Sequence, residues 1–323
     1  MKAVFTCGGT GGHINPALAV ARVLLERRPD SEILFVGAED GMEATLVPRE
    51  GFRLETLQIS SYMRSLKPSA IRHNVRAALS IRRALKKADR IIRDFQPDVI
   101  LGTGGYASYP MLHEGARLGI PTAVHESNAV PGLATKMVAD KVDRILVSFA
   151  DSRSAYRDPS RVIAVGMPVR EEFVFTRRAD ARRALGLDEK TPMIVSAWGS
   201  LGAREMNKKI AQFMKLECEQ DCWRHIHATG SFGWRWMPDY VREQGVDLAA
   251  QPRIEMREYI YDMPQVLAAA DLIICRAGAA TIAEVCASGT PCIMVPSPNV
   301  TGNHQEKNAR VLERSGAAAV VRE

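Results

Sequence analysis

The run Gly8-Gly9-Thr10-Gly11-Gly12-His13 sets a hydroxyl and an imidazole among glycines, directly after the apolar stretch Ala3-Val4-Phe5-Thr6-Cys7. A second run, Gly102-Thr103-Gly104-Gly105-Tyr106, follows Val99-Ile100-Leu101. Glycine reaches φ > 0 at no Cβ cost, so strand, glycine turn and helix let backbone N–H groups approach an anion or a sugar closely. A tight turn that merely needs glycine would account for either run alone; two in one half of the chain favour a ligand site. Neither run is a dinucleotide fingerprint. Reading from Gly9, the last glycine of G-x-G-x-x-G falls on Ile14, and Glu39 and Asp40 come about 30 residues on, where a ribose acid is expected about 20 residues on. No G-K-[ST] is present, which excludes a Walker loop.

The second half carries its own candidates. Asp271-Leu272-Ile273-Ile274-Cys275-Arg276-Ala277-Gly278-Ala279-Ala280-Thr281-Ile282-Ala283-Glu284 reads as strand, glycine turn and helix. Small residues at Ala277–Ala280 allow the helix N-terminus to meet a phosphate, where N–H groups and dipole favour negative charge. Glu284, about a turn further in, is placed to accept from vicinal hydroxyls such as those of a ribose; alone, it would equally be a surface glutamate on an amphipathic helix. Gly289-Thr290-Pro291-Cys292-Ile293-Met294-Val295-Pro296 reads as a buried strand. Asn303-His304-Gln305-Glu306-Lys307-Asn308-Ala309 then offers amides and an imidazole to sugar hydroxyls. No D-x-D occurs for a divalent metal; Glu219-Gln220-Asp221 is the nearest and its context does not match. Neither a metal nor a cofactor is expected.

Elements that would position these groups recur along the chain. Apolar, β-branched runs at Ile33–Val36, Val99–Leu101, Thr122–Val124, Arg144–Val147, Met193–Ala197, His225–Ala228, Leu272–Cys275 and Pro291–Val295 alternate with helical patterns, the rhythm of βαβ units and parallel sheets. The pattern restarts at Met193, where a strand runs into Trp198-Gly199-Ser200-Leu201-Gly202-Ala203. A linker is expected over Val165–Arg178, around Gly166-Met167-Pro168-Val169-Arg170. The expected fold is α/β: two doubly wound, Rossmann-like domains, residues 1–165 and 166–323, facing a cleft with ligands at the carboxyl ends of the strands.

The 323 residues suffice for two such domains, and 46% hydrophobic with 25% charged residues is a globular composition. Six cysteines without a C-x-x-C pair read as reduced, mostly buried thiols of a cytosolic protein. The N-terminus opens on a strand and no run of 18 apolar residues occurs, so the expectation is a chain neither secreted nor membrane-spanning. The net charge of +6 is concentrated: Arg64, Lys67, Arg72, Arg76, Arg82, Arg83, Lys86, Lys87, Arg90 and Arg93 stand against Asp89 alone between Tyr62 and Arg93. Ile71, Val75, Leu79, Ile81 and Leu85 recur there at roughly helical spacing. Such a helix suits an anionic membrane surface, an acidic partner, or a solvated basic face over a core stripe. Nucleic acid is not expected, since no aromatic interleaving or nucleic-acid motif accompanies the charge.

Taken together, Gly8–Ala19, Gly102–Tyr106, His125-Glu126-Ser127-Asn128, Gly166–Arg170, Arg276–Glu284 and Asn303–Ala309 resemble the MurG family of GT-B glycosyltransferases, across nearly the whole chain. The resemblance implies an inverting transfer of N-acetylglucosamine from UDP-GlcNAc to the 4-hydroxyl of the N-acetylmuramyl unit of lipid I, giving lipid II for peptidoglycan. It implies donor contacts at Thr10, Gly11, Gly12, Asn128, Arg170 and Ser200, uracil at Ile260, and phosphate and ribose along Ala279, Ala280, Thr281, Ile282, Ala283 and Glu284. His304 or Gln305 would meet the GlcNAc hydroxyls, and Gly104, Gly105 and Tyr106 would belong to the substrate site. It further implies that residues 1–165 bind the acceptor and face an anionic membrane at its cytoplasmic side, peripherally, and that residues 166–323 bind UDP-GlcNAc. Cell-wall synthesis proteins are implied as further partners.

Inversion is a single in-line displacement and needs a base for the acceptor proton. His13 is the candidate, because an unperturbed imidazole titrates near neutrality; the alternative is a histidine that buttresses the glycine loop. Two departures from the family stand out. Its third loop usually reads Gly-Gly-Ser-Gln-Gly-Ala, whereas Trp198 and Leu201 replace the first glycine and the glutamine here, removing an amide donor; and the family usually continues through further C-terminal helices beyond the position of Glu323. A GT-B transferase with a soluble acceptor and a non-catalytic UDP-sugar-binding protein are the rival readings.

Overall fold

A computed structural model describes the chain apart from Thr10, residues 60–67, Ser200 and Asp221, and without the side chains of residues 68–79 and Thr301. It divides into two compact units, Met1–Pro168 and Val169–Glu323. The division falls three residues after the boundary read from sequence. The segment at Gly166 stays with unit 1, where its carbonyl lies 3.0 Å from His125 Nε2.

Unit 1 holds a parallel sheet of β1 (Lys2–Thr6), β2 (Glu32–Ala38), β3 (Arg53–Leu57), β4 (Val99–Gly102), β5 (Thr122–Glu126), β6 (Arg144–Val147) and β7 (Val162–Ala164). Their order is β3-β2-β1-β4-β5-β6-β7. The chain builds outward from β1 to β3, returns, and builds outward from β4 on the other side, so the direction of winding reverses between β1 and β4. Alternating residues feed a core on each face of the sheet. Ala3, Phe5 and Phe35 pack under Ile14, Ala17, Leu18 and Ala21 of the helix Gly11–Arg27. Val4, Leu34 and Val36 pack under Ala84, Ala88, Ile91 and Ile92 of the helix Pro68–Phe95. Each large side chain so buried contributes about 1.5–3 kcal/mol.

That second helix corrects the stripe read from the sequence. Ile81 and Leu85 are only half-buried, while the small residues Ala84 and Ala88 lie on the core line and let the helix approach the sheet closely. Arg82, Arg83, Lys86, Lys87, Arg90 and Arg93 are exposed. Arg64 and Lys67 fall outside the described residues, as do the side chains of Ile71, Arg72, Val75, Arg76 and Leu79.

Unit 2 repeats the plan with β8 (Met193–Ala197), β9 (Arg224–Ala228), β10 (Ile254–Arg257), β11 (Leu272–Cys275), β12 (Cys292–Met294) and β13 (Ala319–Val320), ordered β10-β9-β8-β11-β12-β13. Its winding reverses between β8 and β11. The cysteines are less uniformly buried than expected: Cys7, Cys275 and Cys292 are buried, Cys218 is half-buried, and Cys222 and Cys286 are exposed. Among the described residues no helix is long and apolar enough to cross a membrane.

Candidate active site

In a doubly wound sheet, the crevice at the carboxyl ends of the two strands flanking the reversal is where loops diverge and a ligand can enter. All four glycine loops stand at these places. Gly8–Gly12 follows β1 and Gly102–Tyr106 follows β4; Trp198–Ala203 follows β8 and Arg276–Gly278 follows β11.

The two loops of unit 1 interlock. Gly105 has φ +80°, and a Cβ there would lie 2.1 Å from the Gly8 carbonyl oxygen. A Cβ at Gly104 would lie 2.8 Å from His13 Nδ1, so these positions are glycine by space as well as by conformation. His13 sits in the first turn of the helix Gly11–Arg27, half-buried. Its Nδ1 is 3.1 Å from the Thr103 carbonyl oxygen, and Thr103 Oγ1 donates to the His13 carbonyl at 2.6 Å. A carbonyl oxygen can only accept, so Nδ1 carries the proton and, in the neutral ring, Nε2 carries the lone pair. Tyr106 covers Gly9, its ring 3.2 Å from where a Cβ would stand, and burial followed by Glu43 and Asp40 raises its phenol above the ordinary value.

Two buried carboxylates shape this end of the sheet, and the sequence reading singled out neither as a positioning group. Glu43 Oε1 accepts from the Gly9 N–H at 3.0 Å and from the Ala38 N–H at 3.3 Å. Burial and this carboxylate push the Cys7 thiol up. Glu126 ends β5 and accepts four hydrogen bonds: Asn128 N–H at 3.0 Å, Asn128 Nδ2 at 3.2 Å, Gly132 N–H at 2.9 Å and Thr135 Oγ1 at 2.6 Å. It thereby orients Asn128, one of the expected contacts. The signal was an acid directly after an apolar strand, but identifying its partners needs the fold.

In unit 2 the helix Ala279–Ser288 starts after Gly278 with no side chain capping it and no acid in its first turn. Its first N–H groups, at Ala279, Ala280 and Thr281, point out of the helix end. Glu284 is half-buried on the same helix. Desolvation pushes its carboxyl up to about 7, with the Arg170 charge pulling the other way. Arg170 lies 5.3 Å above the Phe173 ring, and Tyr259 feels both Glu284 and Arg170, so Arg170, Tyr259 and Glu284 form one cluster. Ile260 is buried, leaving its side chain in the core, whereas its neighbours Tyr259 and Tyr261 are exposed and meet edge to face at 4.9 Å. Gln305 accepts at Oε1 from the Ser297 N–H at 2.9 Å, and His304 is half-buried at the start of the helix His304–Arg314. Asn308 of that helix donates to the Ala277 carbonyl at 3.3 Å and ties it to the loop after β11.

The departures in the third loop have local consequences. Trp198 is buried beneath the Arg276 guanidinium at 5.7 Å, and Arg276 also donates to the Val295 carbonyl at 3.0 Å and pairs with Glu323 at 2.8 Å. Leu201 is exposed. Thr10 and Ser200, both expected donor contacts, fall outside the described residues. One further chain of polar groups has the outline of a nucleophile triad: Ser196 Oγ lies 2.8 Å from His225 Nε2, and His225 Nδ1 lies 2.8 Å from Glu217 Oε2. All three are buried, so no substrate reaches them; they fasten β8 and β9 to the helix Arg204–Gln220. Among the described residues no three His, Cys, Asp or Glu side chains gather as metal ligands.

Comparison with known proteins agrees with this layout. The computed structure aligns with the crystal structure of Acinetobacter baumannii MurG over 100% of this chain and 86% of that one, with a TM-score of 0.72 and 27% identity. It also aligns with the UDP-GlcNAc 2-epimerase of Neisseria meningitidis bound to UDP-GlcNAc (TM-score 0.64, 13% identity, 99% of this chain and 87% of that one), a likeness of fold alone. The UDP-N-acetylglucosamine--N-acetylmuramyl-(pentapeptide) pyrophosphoryl-undecaprenol N-acetylglucosamine transferase of Acetivibrio thermocellus is 41% identical over 100% of this chain and 85% of its own length. The Listeria welshimeri protein of the same name is 38% identical over 100% of this chain and 86% of its own. The glycosyltransferase family 28 N-terminal domain matches residues 3–147 and the family's C-terminal domain residues 193–323; two doubly wound units with glycine loops at both reversals are what that pairing looks like in this molecule, and the chain belongs to glycosyltransferase family 28.

Proposed function

We propose that this chain moves N-acetylglucosamine from UDP-GlcNAc to the 4-hydroxyl of an N-acetylmuramyl-(pentapeptide) pyrophosphoryl-undecaprenol acceptor, with inversion at the sugar carbon. Full-length similarity to transferases of that name supports the substrates. The observation that carries the chemistry is His13, whose Nδ1 faces the Thr103 carbonyl, an arrangement that supports Nε2 as the basic nitrogen of the neutral ring. Unit 1 binds the acceptor, and His13 Nε2 takes the hydroxyl proton as the oxygen attacks C1 of the donor sugar. Unit 2 binds the donor: the N–H groups at the start of the helix Ala279–Ser288 take the charge that develops on the departing UDP, and Glu284 accepts from the ribose hydroxyls. Gly104, Gly105 and Tyr106 shape the acceptor side of unit 1, and Arg170 and the His304-Gln305 pair complete the donor contacts of unit 2. For the uracil, the buried Ile260 side chain leaves its backbone edge and the flanking tyrosines as the contacts. The exposed row Arg82, Lys86 and Arg90 of the helix Pro68–Phe95 brings unit 1 to an anionic membrane surface, peripherally, on the cytoplasmic side where a nucleotide sugar is present.

The test is transfer of radiolabelled GlcNAc from UDP-GlcNAc to the lipid acceptor. Label in the lipid product with a β-linkage is the expected result. Binding of UDP-GlcNAc without transfer would make this a sugar-nucleotide-binding protein, and transfer only to water-soluble acceptors would assign it a different substrate class.

A further inference from the structure

The acceptor carries a peptide, and one feature of unit 1 has no part in the mechanism above. An open cavity of about 280 Å³ is lined by Glu39, Gln58, Arg83, Ala84 and Lys87. Glu39 directly follows β2 and Gln58 directly follows β3, so the cavity lies at the carboxyl edge of the sheet, the same edge that carries His13 on the loop after β1. The two places are linked in detail: Ala38, the residue before Glu39, donates its N–H to the same Glu43 oxygen that accepts from Gly9. Neighbouring strands are about 4.8 Å apart, so two strands cover the distance from the loop after β1 to the far side of the cavity.

Its chemistry is mixed. Arg83 and Lys87 are one helical turn apart and both line the cavity. Among the described residues neither is paired with a carboxylate, in contrast to Arg93 of the same helix, which pairs with Asp89 at 2.8 Å. Two unpaired cations call for an anion. Glu39 and the Gln58 carbonyl, beside them, call for N–H donors and oppose a dianionic phosphate. A peptide segment with a carboxylate next to amide N–H groups satisfies both demands.

Resting on the transfer reading above, we infer that this cavity is the subsite for the carboxylate-bearing peptide of the acceptor, with Arg83 and Lys87 holding the carboxylate. The peptide of an N-acetylmuramyl unit leaves from the carbon next to the reacting hydroxyl, and five residues extend up to about 17 Å, ample for the span.

The experiment compares the native acceptor with one whose peptide carboxylates are amidated, both on a short prenyl chain dispersed in detergent. Arg83→Gln with Lys87→Gln should raise KM for the native acceptor about ten- to a hundredfold, the worth of a charge-assisted hydrogen bond. It should leave the amidated acceptor, kcat and the calorimetric Kd for UDP-GlcNAc unchanged. The unchanged donor Kd and an unchanged melting curve show that the double variant is folded. As a second variant, Lys87→Glu should favour an acceptor peptide bearing an amine in place of the carboxylate. Equal loss with native and amidated acceptors would overturn the subsite. So would a loss that appears only on vesicles and follows their anionic lipid content, which would assign the two cations to the membrane. No transfer by the unmodified chain to either acceptor would remove the transfer reading itself; normal transfer with no difference between acceptors removes only the peptide subsite.

Discussion

The two winding reversals have the same topology and opposite treatment of their backbone N–H groups. In unit 1, Glu43 draws in the Gly9 N–H of the loop at the reversal, and one strand further on, after β5, Glu126 takes those of Asn128 and Gly132. In unit 2, no acid stands in the first turn of the helix after β11 and no side chain caps it. A buried carboxylate beneath a loop disfavours a second anion above it, whereas an uncapped helix start attracts one. The doubly wound sheet therefore supplies the place for a ligand, and the groups behind each loop decide its charge. The proposed function uses this difference: unit 1 takes the hydroxyl, with an imidazole for its proton, and unit 2 the phosphate.

The largest effect expected from this contrast is at His13. His13→Ala removes the base and should lower kcat about 10²–10⁴-fold, with the Kd for UDP-GlcNAc unchanged. Steady-state transfer rates and donor calorimetry check both halves. An unchanged rate would leave His13 as a buttress of the Thr103 loop.

The next test sets the two loops against each other. Ala279→Pro removes one N–H from the helix start of unit 2, where proline is tolerated and where Gly278, at ψ 142°, already has the backbone that a following proline requires. Donor affinity should fall about ten- to a hundredfold, the worth of a hydrogen bond to a charged group. Glu43→Ala should leave donor affinity alone, lower the melting temperature through about 1–3 kcal/mol of lost hydrogen bonding, and slow transfer. If Glu43→Ala weakened the donor and Ala279→Pro did not, the assignment of the two units would be reversed.

Glu284 adds a pH dependence with a definite sign. Its carboxyl is raised from 4.5 to about 7 by desolvation, and the ionised form, acceptor at both oxygens, binds two hydroxyls more strongly than the protonated one. Donor affinity should therefore rise about tenfold between pH 6 and pH 8 and level off above, followed by calorimetry. Glu284→Gln should flatten that rise. Stability of the ligand-free chain runs the other way. The unfolded carboxyl ionises near its ordinary value and the folded one near 7, so stability contributed by the bound proton is present at low pH and lost as pH rises through that interval. Parallel trends in affinity and melting temperature would exclude Glu284 as the ribose acceptor.

How much of this was legible in the sequence depends on position within each sheet. The interior strands announce themselves as apolar runs because both faces are covered. The four strands that no apolar run marked are β3, β7, β10 and β13, and these are the four edge strands. Arg53-Leu54-Glu55-Thr56-Leu57 and Ile254-Glu255-Met256-Arg257 show why: an edge carries charge on the face that solvent reaches, which hides the period. In the candidate site, glycine loops were visible because glycine has a local reason to be there. Glu43 and Glu126 were not, since their partners lie at Gly9, 34 residues away, and at Thr135, on another element. The resemblance puts Ile260 at the uracil; that its side chain is buried, leaving the backbone edge for such a contact, is a property of packing, which the motif does not carry.

The smallest effect expected separates two cations on one helix of unit 1. Lys86 is exposed and its neighbours Arg82 and Arg90 carry the same charge, so an anionic membrane would meet a row of positive groups. Arg93, three residues further, is already paired with Asp89 at 2.8 Å, and Asp89 also pairs with Arg117 at 2.6 Å. A lysine close to an anionic surface contributes about 1 kcal/mol, screened beyond about 10 Å at 0.1 M salt. Lys86→Ala should thus weaken co-sedimentation with vesicles containing phosphatidylserine about fivefold at low salt. Arg93→Ala should change it less, because removing a cation that already faces a carboxylate alters the outward field little. Both differences should vanish on neutral vesicles and shrink as salt is added. Equal losses for the two variants, or losses that ignore lipid charge, would return this helix to a solvated face over an ordinary core.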